Sequence, residues 1–255
     1  MNKERLNPKV RAVLNGVTPL VIMDRYRRFK TLLLGRKLGR KVYRLRSGEY
    51  YFSGKSVGMR WDEMGLLQFK FLVENGLQPH HRLLDVGCGS LRGGVHFIRY
   101  LDDGNYYGVD KQQLLLDAAV EVEMPRYSLE GRIVHLLNQD DFDFSRFNTT
   151  FDYALAQSVF THLTWNSILR CLVNVEKVLA KDGKFYSTFF EATKPEHRIE
   201  PIKHQPGGCI TYPDRDPFHY EFDVFIELAD RVGLKVKYLG DWGHPKNQKM
   251  MVFSR

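Results

Sequence analysis

From about Asp62 onward, short apolar runs rich in Val, Leu and aromatic residues alternate with stretches of helical period. Strands buried on both faces of a sheet read as near-continuous apolar runs, and the amphipathic stretches between them as covering helices. The pattern predicts strands near 82–86, 105–109, 132–137, 151–156, 183–189, 234–240 and 248–254. It predicts helices near 61–76, 91–100, 111–121, 166–179 and 221–232. Such alternation defines an α/β domain with a mostly parallel, seven-stranded sheet and helices on both faces. The last two strands are separated only by the residues DWGHPKN, too short for a crossover helix, so they should form a C-terminal antiparallel hairpin. Residues 190–220 hold five of the ten prolines together with Gly207 and Gly208, which excludes a regular helix or central strand there. An irregular segment of that length inside a compact domain points to function.

Charge divides the chain a second way. Residues 1–60 carry 16 Lys and Arg against Glu4, Asp24 and Glu49, a net +13, whereas residues 61–255 carry 22 basic against 27 acidic side chains, a net −5. The expected organisation is therefore a basic, helical N-terminal extension over 1–60 and one α/β domain over 61–255. Ten basic residues from Arg25 to Arg46 are interleaved with Leu32, Leu33, Leu34, Leu38, Val42, Tyr43 and Leu45. This composition suits a lid over a cleft with its charges in water, or peripheral contact with an anionic membrane surface. No apolar run approaches the roughly 20 residues of a spanning helix, and the N-terminus lacks a signal-peptide core. Cys88, Cys171 and Cys209 are an odd number without metal spacing, which argues against a disulfide framework or a zinc site. The expected setting is cytoplasmic, with the inner membrane surface as the alternative.

The chemistry begins at LLDVGCGSLRGG, Leu83 to Gly94, where a buried strand runs into a glycine-rich turn before a helix. Glycines there let the backbone approach a ligand closely, and amides at a helix start can meet a carboxylate or phosphate. After Gly87 and Gly89 the third glycine is Gly93, while Arg92 stands where a dinucleotide fingerprint needs glycine, which weighs against NAD or FAD. Asp110 ends the next strand in YYGVDKQ, 25 residues after Asp85, and a carboxylate there can accept both ribose hydroxyls of an adenosine cofactor. An acidic turn, LLNQDDFDF, follows the third strand.

The Asp-x-Gly-x-Gly turn, Asp110 and the acidic turn, in this order over about Leu66 to Phe253, resemble the class I S-adenosylmethionine-dependent methyltransferase family. The resemblance implies a Rossmann-like fold and S-adenosyl-L-methionine as cofactor. It implies that Asp85, Gly87, Cys88 and Gly89 cradle the methionine end, that Asp110 with Lys111 holds the ribose, and that Asp141, or Asp140 beside it, holds the adenine together with Phe142. Cys88 is expected to be a small buried side chain rather than a nucleophile. In the family the turn after the fourth strand, here FDYALAQ into SVFTHLTWNSI, lies beneath the transferred methyl group, which places Gln157, Ser158 and His162 near the chemistry.

A hydroxyl acceptor must lose its proton, and an imidazole, with an ordinary pKa of about 6.5, suits a general base, so His162 leads. Glu191, at the carboxyl edge of the fifth strand in FYSTFFE, is the alternative base. His219, Tyr220 and His244 are further polar groups expected near an acceptor. No Asn-Pro-Pro-Tyr or Asp-Pro-Pro-Tyr follows the fourth strand, which separates the chain from enzymes that methylate exocyclic amines. The segments GSLRGG, AQSVFTHL and FYSTFFE resemble bacterial methyltransferases of glycan and secondary-metabolite clusters. The expected activity is O-methylation of a sugar, glycan or related small molecule, including a lipid-linked one. An RNA methyltransferase and a non-catalytic cofactor-binding scaffold are the competing readings.

Overall fold

The computed structural model describes residues 28–34, 41–47, 50–51 and 60–255. Two compact units divide the chain, Met1–Met59 and Arg60–Arg255. In the first, residues 28–34 are helical, and β1 (Tyr43–Arg44) pairs antiparallel with β2 (Tyr50–Tyr51). Most of the basic stretch expected over 1–60 lies outside the described residues.

The second unit is built on one sheet. Its strands are β3 (Leu83–Val86), β4 (Tyr106–Asp110), β5 (His135–Asn138), β6 (Phe151–Ala156), β7 (Leu179–Phe189), β10 (Lys235–Asp241) and β11 (Lys249–Ser254). They lie in the order β10-β11-β7-β6-β3-β4-β5. The five from β3 to β7 pair in parallel, and β11 enters antiparallel to both β7 and β10, as the short DWGHPKN link requires. From β3 the chain winds first towards β5, then returns to β6 on β3's other side. That reversal makes the carboxyl ends of β3 and β6 the switch point of the sheet, the place where open α/β sheets bind ligands.

Alternation along the strands sends side chains to two separate cores. Leu84, Val86, Ala154, Phe185 and Phe253 pack on one face with α4 (Trp165–Val178) and α5 (Phe222–Arg231). Leu83, Leu155, Tyr186 and Met250 pack on the other with α1 (Trp61–Glu74), α2 (Gly94–Tyr100) and α3 (Gln113–Ala118). Each fully buried Leu or Phe contributes roughly 1.5–3 kcal/mol of transfer free energy.

Three boundaries depart from the expected pattern. Helix α2 starts at Gly94 rather than at 91, because Leu91 adopts a left-handed φ of 70° that no helix continues through. The helix expected to end at 121 runs on through a π turn, Ala119–Glu123, into a last turn at Met124–Arg126. Residues 190–220, expected to lack regular structure, contain a 3-10 turn at Pro195–Arg198 and a small hairpin of β8 (Ile202–His204) and β9 (Cys209–Thr211). Three-residue strands flanking Pro206 and two glycines carry too little alternation to register as strands. Among the described residues no helix is long and apolar enough to cross a membrane.

Candidate active site

At the end of β3 the chain turns through Gly87 and Gly89, whose φ values of 73° and 57° lie in the left-handed region that glycine tolerates best. Gly87 is also confined sterically, since a Cβ there would sit 2.6 Å from Val159 Cγ2 in the loop after β6. The turn's amides do not face outward as the sequence suggests. Gly87 and Cys88 both donate to the Val109 carbonyl, at 2.7 and 3.0 Å, Gly89 donates to Asp110 Oδ2 at 3.0 Å, and Leu91 donates to the Cys88 carbonyl at 3.1 Å. The Cys88 thiol is buried beside Gly108, where a Cβ would lie 2.9 Å from its sulfur, and burial pushes its pKa up. It is a core side chain held away from nucleophilic chemistry.

Asp110 joins two loops. Its Oδ2 accepts from Gly89 and its Oδ1 from the Gln112 amide at 2.8 Å, so each oxygen keeps a lone pair for a further donor. Burial raises its pKa, and the two backbone donors and Lys111 counter this. A half-buried carboxylate with two acceptor positions at a strand's carboxyl end fits the vicinal hydroxyls of a ribose. Lys111 itself is exposed.

Asp85 plays a different part, buried under the turn and accepting a 2.7 Å hydrogen bond from Tyr106 Oη. Burial raises its pKa to about 6, opposed by that bond and by Arg92. The folded chain thus holds this proton to higher pH than the unfolded chain, so stability falls as pH rises from about 4 through about 6, by about 3 kcal/mol at most. Asp85→Asn keeps an oxygen for Tyr106 and is expected to stabilise the fold more at pH 8 than at pH 4. Chemical denaturation at the two pH values checks this, and an equal effect at both would contradict it.

In the acidic turn after β5, Asp141 is half-buried. Its Oδ2 lies 2.5 Å from Arg146 Nη2 and its Oδ1 accepts from the Asp143 amide at 3.2 Å. Phe142 packs against the core with φ at 60°, unusual for a bulky side chain, and non-glycine residues held in this region cluster at ligand sites. Asp140 is exposed.

Directly after β6 come Gln157 and Ser158, the latter also left-handed at φ 58°. His162 closes the 3-10 turn Phe160–His162, and its Nδ1 lies 2.5 Å from Asp216 Oδ1 of the Pro-rich segment. Both side chains are more than half exposed, 54% and 59%. A carboxylate at Nδ1 accepts the ring hydrogen there, which leaves Nε2 with a lone pair. The sequence carries no signal for Asp216, 54 residues away from its partner.

Glu191 follows β7 and accepts a 2.8 Å hydrogen bond from Tyr238 Oη on β10, on the far side of the sheet order from β4 and Asp110. His219 is buried inside the Pro-rich segment rather than lining an acceptor pocket. There His204 Nε2, Thr211 Oγ1, His219 and the His197 carbonyl form a chain with each link at 2.8 Å. Burial lowers His204 to about 4 and lowers His219 as well, so this interior histidine chain is neutral. Tyr220 is structural too, donating to the Leu163 carbonyl at 2.7 Å.

His244, in the β10–β11 turn, reaches Gln157, the two Nε2 atoms being 3.3 Å apart. Gln157 also receives Arg92 Nη2 at 2.5 Å on its Oε1 and gives a hydrogen bond to Ser158 Oγ. Ser158 and Thr188 in turn donate to Gln248 Oε1 at 3.0 and 2.7 Å. Arg92 and Gln248 were not among the expected site residues, because nothing in their local sequence shows that three separated segments meet at the end of β6.

Residues 84–185 match the family model of the methyltransferase domain. Among solved structures, the chain is similar to an S-adenosylmethionine-dependent methyltransferase from Clostridium acetobutylicum, with 13% identity over 77% of this chain and 92% of that one and a TM-score of 0.56. It is similar to the magnesium protoporphyrin IX methyltransferase of Synechocystis PCC 6803 with bound S-adenosylhomocysteine, at 12% identity, 92% and 98% coverage and a TM-score of 0.58. It is also similar to an amino pentose methyltransferase from Micromonospora echinaspora, at 15% identity, 78% and 92% coverage and a TM-score of 0.54. The fold is therefore that of the class I, Rossmann-like methyltransferases. The match of the domain model and the donor set at Asp110 support S-adenosylmethionine as the cofactor.

Proposed function

We propose that the chain is an S-adenosylmethionine-dependent O-methyltransferase acting on a hydroxyl of a sugar, glycan or related small molecule. The observation that carries the finer part of this reading is the His162–Asp216 pair, an imidazole held by a carboxylate at Nδ1 in the turn after β6. That arrangement suits removal of a hydroxyl proton, which an amine or thiolate acceptor needs less.

When bound, the cofactor supplies a methyl group on a sulfonium sulfur, the electrophile of an in-line displacement. Asp110 accepts the ribose hydroxyls and fixes the cofactor's register on the sheet edge. His162 Nε2 takes the hydroxyl proton as the acceptor oxygen bonds to carbon, and the Asp216 carboxylate stabilises the resulting imidazolium. S-adenosylmethionine held there would supply both the methyl group and, as a neutral thioether, the leaving group. Holding acceptor, carbon and sulfur in line supplies much of the acceleration.

The amino pentose methyltransferase from Micromonospora echinaspora, a protein with the same fold, is consistent with a carbohydrate acceptor. A lipid-linked glycan reached at an anionic membrane through the basic N-terminal stretch is the form that unites this acceptor with the +13 of residues 1–60. The test is transfer of an isotopic methyl group to glycan, lipid-linked sugar and RNA pools. Label in an alkali-stable ether of the glycan or lipid-linked pool is the expected result, and label confined to RNA would refute the carbohydrate reading.

A further inference from the structure

We propose that His244, with Arg92 and Gln157 beside it, forms a binding site for an oxyanion of a ligand, a carboxylate or phosphate group, at the carboxyl edge of β6. The argument starts from which ring nitrogen carries the hydrogen. His244 Nδ1 faces two backbone donors, the Lys246 amide at 3.1 Å and the Gln248 amide at 3.4 Å, so it is an acceptor. A neutral imidazole has one hydrogen, which therefore sits on Nε2.

The orientation of Gln157 follows from its other neighbour. A guanidinium has no acceptor atom, so the group 2.5 Å from Arg92 Nη2 is the amide oxygen, and the nitrogen turns towards Ser158 Oγ and His244. The Nε2 hydrogen of His244 then meets another donor 3.3 Å away. Turning the amide over only transfers the mismatch to Arg92. His244 is 7% exposed, and a buried donor of this kind is destabilising unless an acceptor reaches it.

Charge around the ring points to the same ligand class. Burial, with the positive charges of Arg92, Lys246 and Arg60, lowers its pKa to about 3, while the buried Asp85 carboxylate acts on Arg92 from the other side. The imidazole is thus an uncharged donor set among cations. Meanwhile the amides of Gly87, Cys88, Gly89 and Leu91 are engaged within the protein, so the glycine turn does not offer them to an anion. An oxyanion at His244 satisfies its hydrogen and is favoured by the positive charge of Lys246, Arg60 and Arg92 around the ring.

The oxyanion has two sources, the carboxylate of the cofactor's methionine end or an anionic group on the acceptor. The first rests on the methyltransferase reading, and the experiment separates the two. Calorimetry compares S-adenosylhomocysteine with its decarboxylated analogue on the full chain and on His244→Phe and His244→Gln. The first variant keeps the ring volume without a donor, and the second restores an N–H. For a cofactor carboxylate, the unaltered chain prefers the carboxylated ligand by about tenfold or more, His244→Phe reduces the preference to within about twofold, and His244→Gln retains part of it.

For an acceptor oxyanion, the preference survives His244→Phe, while inorganic phosphate added to the S-adenosylhomocysteine complex shifts the ¹⁵N signal of His244 Nε2. A preference unchanged by His244→Phe, together with a signal unmoved by phosphate, overturns the proposal. If S-adenosylhomocysteine fails to bind the unaltered chain at all, the methyltransferase reading falls. The phosphate response of the chain alone then decides the oxyanion site.

Discussion

Replacing His162 with alanine is expected to lower turnover by about 10²–10⁴-fold while leaving cofactor affinity within about twofold of its original value. On the proposed reading the effect is large because the acceptor hydroxyl loses the base positioned for it, and selective because the His162 side chain pairs with Asp216 rather than with Asp110 or the glycine turn. Asp216→Asn tests the arrangement from the other end. An amide presents either oxygen or nitrogen to Nδ1, so the ring tautomer is no longer fixed, and turnover should fall with little change in KM. Glu191→Gln is the comparison, since Tyr238 Oη can still donate to the amide oxygen in place of the carboxylate. Near-normal turnover in His162→Ala with turnover abolished in Glu191→Gln would move the base to the carboxylate.

Asp110→Ala is expected to weaken binding of S-adenosylmethionine and of S-adenosylhomocysteine by about 1.5–3 kcal/mol, roughly 10- to 150-fold. Two losses combine here. The ribose hydroxyls lose a charged acceptor, and the Gly89 and Gln112 amides lose the carboxylate that ties the turn after β3 to the loop after β4. Asp110→Asn keeps one acceptor oxygen and should fall between the two. Calorimetric titration measures the affinities, and thermal unfolding of the ligand-free variants reports how much of the loss is loop order. Undiminished affinity in Asp110→Ala would remove Asp110 from the cofactor site.

The architecture was legible wherever a segment's own pattern is sufficient. LLDV, YYGVD and FDYALA are apolar runs between turn signals, and DWGHPKN is too short for anything but a hairpin, so sheet, hairpin and cofactor edge follow from local text. The positions of Gly87, Gly89 and Asp110 at strand ends are legible for the same reason, whereas the burial of Asp85 under the turn is not. What stayed hidden depends on contacts between distant segments. Asp216 reaches His162 across 54 residues, and His244 reaches Gln157 across 87. The outward aim expected of the turn amides failed similarly, since whether an N–H finds Val109 or a ligand depends on the neighbouring strand. Leu91 and Phe142 show a further limit, because propensity gives no warning of a bulky residue in a left-handed conformation.

The Pro-rich segment between β7 and α5 is stitched to the turn after β6 at several points. The Phe218 amide donates to the Thr161 carbonyl at 2.8 Å, Tyr220 Oη caps the Leu163 carbonyl, and Asp216 holds His162. That turn is in turn interlocked with the cofactor loop, where Val159 fills the space a Cβ on Gly87 would need. Anyone building chimeras to change the acceptor should therefore treat residues 158–163 and 190–220 as one transplantable cassette. A graft of the Pro-rich segment alone would bring a foreign surface to the carbonyls of Thr161 and Leu163 and strand the host's histidine without its carboxylate. Swapping both together while retaining Val159 keeps the seam with the glycine turn intact, so the two segments can be exchanged without disturbing the turn after β3.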